Sequence, residues 1–208
     1  MISTAINILY AELETHLQTL ESKFIASFLP TVAPLVTPSE YEHFVKAYCV
    51  LSHAAIEDFT EKVALRVMSQ SIEEWIMQRK SSETLITLVC FYGSKLNISD
   101  NENENERSCY QQLKEIFDVI KRDFSQDIHK NHGISIKYLR RLLTPIAIDI
   151  PTDVITINSL QQLANERGDY AHKSKARRVL SPEDAQKYVY DCLNLCSEIR
   201  NRANTRLS

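Results

Sequence analysis

The chain has 208 residues, 44% apolar and 25% charged, a globular balance that excludes a disordered polymer and leaves enough length to bury a core. Three glycines and six prolines are too few for a turn-rich all-β fold and favour long helices. A net charge of -3 gives no general attraction to nucleic acid, so any such binding must come from a local patch.

The chain opens M-I-S-T-A-I-N-I-L-Y-A-E-L-E, with no early basic residue, and reads as neither a secretion signal nor a membrane span. From about Thr4 to Phe28, Ile6, Leu9, Leu13, Leu17, Leu20 and Phe24 recur in steps of three and four, predicting an amphipathic helix. Pro30 and Pro34 frame an extended connection. Thr37-Pro38-Ser39-Glu40 then combines a cap, a first-turn proline and a capping-box acid, so a second helix starts here. It is expected to reach Met68, with Ser69-Gln70-Ser71 breaking it before a shorter helix that carries Trp75. Residues 82–96, with Leu85, Leu88, Val89, Phe91 and Tyr92, read as a buried helix. The tract 97–107, containing N-E-N-E-N-E, is expected to be a flexible polar surface loop within a single domain spanning 1–208.

Leu113, Ile116, Phe117, Ile120, Phe124 and Ile128 predict the next helix, stopped by His132-Gly133, and a short one follows over Ile136–Leu143. I-A-I-D-I, between Pro145 and Pro151, is a loop or one short strand. Asn158 is the expected cap of the next helix, and Ser181-Pro182-Glu183-Asp184 starts the last. The reading is all-α, a bundle of about six or seven helices.

The window Asn158 to Arg178 carries the chemistry. At its centre stands Arg167-Gly168-Asp169-Tyr170-Ala171-His172, followed by Lys173, Lys175, Arg177 and Arg178. A guanidinium holds phosphate oxygens in a fork, and an imidazole moves protons near neutral pH, so the pattern suits a phosphate-bearing substrate. Solvated surface charge is the plain alternative. Arg122 and His129 repeat the loose spacing within a regular helix flanked by acids, and carry no such reading. His129 and His132 have H-x-x-H spacing, with no neighbouring cysteine or carboxylate pair in sequence to complete a metal site, so no metal is expected. His53 lies four residues before Glu57 on one helix face, and His16 and His43 read as surface residues. Five cysteines form an odd set without a C-x-x-C pair, which suggests a reducing cytoplasm, and Cys192 and Cys196 read as core. P-loop, dinucleotide and G-x-S-x-G motifs are absent.

Arg-Gly-x-x-Ala-His, preceded by L-x-x-L-A-N-E and followed by a basic run and a proline-started helix, resembles the HEPN superfamily, and most closely its RiboL-PSP-HEPN branch. Y-C-V-L-S-H-A-A-I-E-D-F over residues 48–59 is similar to that branch's early helix, and H-G-I-S-I-K-Y-L-R-R-L-L-T-P-I to the segment before its catalytic helix. The resemblance covers roughly residues 40–200. It implies a helical bundle and a homodimeric, metal-independent endoribonuclease without cofactor, of the kind that serves as a toxin or defence effector, sometimes with a neutralising protein partner. On this resemblance Arg167 binds the scissile phosphate, His172 is the acid or base, and Glu57 or Asp169 orients them. Lys173, Lys175, Arg177 and Arg178 would hold the RNA. The alternative is a non-catalytic module of the same fold that binds RNA, a nucleotide or a protein. Many members have a polar residue directly after the arginine, where this chain has Gly168. Along a regular helix five residues turn about 140°, so either the helix distorts near Gly168 or the site draws groups from two subunits.

Overall fold

The computed structural model describes the backbone of residues 2–30, 37–93, 109–130, 132–150, 153–172 and 180–207, and the side chains of these except 2–4 and 168–172. Among the described residues there are seven α-helices, two short 3-10 segments and no strand. The all-α reading holds. The expected connection around Pro34 and the polar tract near 97–107 fall outside the described residues.

Helix α1 (Ile2–Phe24) buries Ile6, Leu13, Leu17 and Leu20 along one stripe, and a 3-10 turn at Ala26–Phe28 follows it. Helix α2 (Pro38–Gln78) is the spine, 41 residues and about 60 Å long. The Glu40 carboxylate accepts from the Thr37 N–H at 3.3 Å and from its hydroxyl at 2.9 Å, closing the N-terminus as the sequence predicts. The expected break at Ser69-Gln70-Ser71 does not occur. Ser71 is buried, Gln70 donates to Glu74 one turn on at 3.0 Å, and Trp75 stacks on Tyr110 and meets Phe117 edge-on at 4.7 Å. Packing on both sides of the serines outweighs their weak helix preference. The helix ends at Arg79 (φ 59°), whose guanidinium donates to the carbonyl groups of Trp75 and Ile76 and lies 3.8 Å from the centre of the Tyr110 ring.

Helix α3 (Glu83–Tyr92), capped by the Ser82 hydroxyl, was expected to be buried and is only half so: Thr84, Leu85 and Leu88 point inward, whereas Ile86, Val89 and Phe91 are exposed. It is largely apolar all round, but among the described residues it has neighbours on one side. Helix α4 (Cys109–Lys130) buries Phe117, Ile120, Phe124 and Ile128. Helix α5 (Ile136–Leu143) starts at Ser135, whose hydroxyl accepts the Tyr138 N–H at 3.3 Å. I-A-I-D-I is a loop after a 3-10 turn at Thr144–Ile146, with Ile146 and Ile148 buried.

Helix α6 (Val154–His172) begins before the expected Asn158 cap, because Asp153 accepts the Thr156 N–H at 2.8 Å and an aspartate caps as well as an asparagine. Helix α7 (Pro182–Arg206) starts with the Ser181 hydroxyl accepting the Asp184 N–H, and buries Cys192, Leu195, Cys196 and Ile199. Helices α1, α2, α6 and α7 pack together as the main bundle, while α3, α4 and α5 pack on α2 as a second group. Because α2 belongs to both groups, it borders the seam where they meet.

Candidate functional site

On α2, Cys49, His53, Glu57 and Glu61 follow one another at intervals of four, a row that runs along the side of the spine. Helix α6 packs against this row. Burial pushes the Cys49 thiol up to about 12, with the negative charge of Glu166 on α6 adding to the effect. One turn on, burial pushes the His53 imidazole down to about 4, and the positive charge of Arg167 adds to it, so His53 is neutral at pH 7.

The chain between α4 and α5 closes the other side. Gly133 has φ +115°, a conformation that side chains other than hydrogen rarely adopt, and its N–H donates a short hydrogen bond to Glu57 Oε1. A methyl group placed on Gly133 would stand 4.0 Å from both Arg167 Nη1 and His53 Nε2. Gly133 therefore lies beside both the α6 guanidinium and the α2 imidazole. Glu57 ties the three segments together: His53 Nδ1 is 3.6 Å from its Oε2, and His132 Nδ1 is 3.6 Å from its Oε1. The side chains pass from core to solvent, with His53 2% exposed, Glu57 12% and His132 63%. Arg167 is exposed at the outer edge. Among the described residues it makes no ion pair.

A family profile decides what kind of protein this is: that of RiboL-PSP-HEPN matches residues 6–205, nearly the whole chain. The chain belongs to the RiboL-PSP-HEPN family. No curated protein and no solved structure matches it.

Within this HEPN chain the expected site residues divide by place. Arg167 and Glu57 both come beside Gly133, and among the described residues they form no direct pair. The α6 backbone is helical from Val154 through His172, with no interruption at Gly168, so position 172 lies about 140° round the axis from position 167. The side chains of Asp169 and His172, and all of Lys173, Lys175, Arg177 and Arg178, fall outside the described residues. Arg122 and His129 are exposed on α4, where Arg122 pairs with the adjacent Asp123 at 3.2 Å.

Sequence reading took Gly133 as a helix stop and found no carboxylates for His132. Both take their roles from α2, some seventy-five residues upstream, and neither partner is adjacent in sequence. The one local signal was the i, i+4 spacing of His53, Glu57 and Glu61. A groove between α1 and α2, lined by Leu9, His16, Asp58, Phe59 and others, has a volume of 390 Å³ and includes none of the expected site residues. No helix among the described residues is long and apolar enough to cross a membrane.

Proposed function

We propose that this HEPN-family chain is a metal-independent endoribonuclease in which Arg167 and His172 carry out the chemistry, acting in the cytoplasm as a homodimer. What supports this most is Arg167: a guanidinium exposed and unpaired among the described residues, at the rim of a seam whose floor is the neutral His53 and the carboxylate of Glu57. Such a group receives a phosphate without first giving up another partner.

In the proposed reaction, the His172 imidazole, as base, removes the proton from a ribose 2′-hydroxyl. The 2′-oxygen attacks the adjacent phosphorus, and the bond to the 5′-oxygen of the next nucleotide breaks. That oxygen leaves with a proton from a water molecule, and the imidazolium then returns its proton to the solvent. Arg167 stabilises the negative charge that builds on the phosphoryl oxygens. The products are a 2′,3′-cyclic phosphate and a 5′-hydroxyl, and no oxidant, cofactor or metal enters the balance. Lys173, Lys175, Arg177 and Arg178 extend the cationic track for the RNA backbone. Glu57 holds the Gly133 loop against α2 and so fixes the surface on which Arg167 rests. The uninterrupted α6 helix favours the two-subunit form of the site over a distortion at Gly168.

The test is incubation of cellular RNA with purified protein in EDTA. Wild type should leave 5′-hydroxyl ends, and Arg167→Ala and His172→Ala should lose at least about a hundredfold in rate, the scale of a general acid–base or charge-stabilising group. Equal cleavage by all three would refute the assignment. RNA retention without cleavage by wild type would favour a binding module of the same fold.

A further inference from the structure

Glu57 and Glu61 are two carboxylates on one side of α2, only a turn apart, and neither is paired with a lysine or arginine among the described residues. His132 is brought against them from the loop after α4. One ligand atom from each of the three lies within 4.8 Å of the others. The 3.6 Å between His132 Nδ1 and Glu57 Oε1 is too long for a hydrogen bond, but close to the separation of two ligands on one ion. Bonds of about 2.0–2.1 Å in tetrahedral geometry place ligand atoms about 3.3 Å apart.

Both carboxylates are also held in place from behind. Glu57 accepts the Gly133 N–H, and Glu61 accepts the Tyr138 hydroxyl at 2.7 Å. Donors of this kind orient the carboxylates of metal sites. A separate observation points the same way: His53 is buried, its Nδ1 has no hydrogen-bond partner, and that atom stands 3.6 Å from Glu57 Oε2. The buried imidazole therefore leaves the Glu57 carboxylate without a hydrogen bond from this side, and its charge open to balance by an ion. Among the described residues Arg167 makes no ion pair with Glu57 or Glu61.

We infer that Glu57, Glu61 and His132 form a binding site for a divalent first-row transition metal, with Zn²⁺ the natural probe for a two-carboxylate, one-imidazole set. The ion would lock α2 to the α4–α5 connection. It lies outside the proposed cleavage chemistry, and the inference does not depend on that reading.

The experiment is calorimetric titration of the metal-free full chain with Zn²⁺, without RNA, beside melting curves with and without the ion. Wild type should bind one Zn²⁺ and melt higher with it. His132→Ala and Glu61→Gln should abolish that binding, while His129→Ala keeps it. Tyr138→Phe, which removes only the donor behind Glu61, should weaken it roughly 10–100-fold. No binding by wild type, or binding that survives both ligand substitutions, would overturn the site. Because no RNA is present, neither result depends on whether the chain is a ribonuclease.

Discussion

Gly133 shows how much of the site depends on one backbone angle. At φ +115° a side chain is strained whatever the space, although the neighbours at 4.0 Å would leave room for a methyl. Gly133→Ala should therefore destabilise the fold by about 1–3 kcal/mol through the backbone rather than through a clash. Denaturant unfolding measures this directly, and an unchanged midpoint would show that the loop relaxes freely. The same residue explains what sequence could and could not reveal. Arg167 was visible because its neighbours in the chain carry the pattern. Gly133 and His132 were not, because the groups that give them meaning are Glu57, His53 and Glu61 on another helix. A periodicity argument reports which face a residue occupies, not which distant loop comes down on that face.

At the level of elements, starts were easier to read than ends. Thr37 and Ser181 each precede a helix in the structure, as expected, because a cap is a local interaction between a side chain and the next turn. Ser135→Ala should cost about 1 kcal/mol in a thermal melt, since the Tyr138 N–H loses its acceptor at the start of α5. No loss would mean that water replaces the cap. The uninterrupted run of α2 through Ser69-Gln70-Ser71 was not legible, because what sustains it is Trp75 against Tyr110 and Phe117 of α4. The half-exposed α3 is the converse case. Its residues are apolar enough for burial on all sides, but the described residues give it neighbours on one side only. The early start of α6 depended on which of two good caps, Asp153 or Asn158, comes first.

For the whole molecule, the central claim concerns how Arg167 and His172 come together. With α6 helical to its end, the two positions diverge by about 140° within one copy. A two-fold pair of α6 helices would let the arginine of one copy work with the histidine of the other. Mixing the two inactive variants tests this. Arg167→Ala and His172→Ala are each prepared, combined, unfolded and refolded together, and assayed on RNA in EDTA. If each site takes one residue from either copy, half of the dimers are mixed and each has one intact site, so activity should return to about a quarter of wild type. Recovery at that level would establish the shared site. No recovery, from variants that are folded and dimeric, would contradict it.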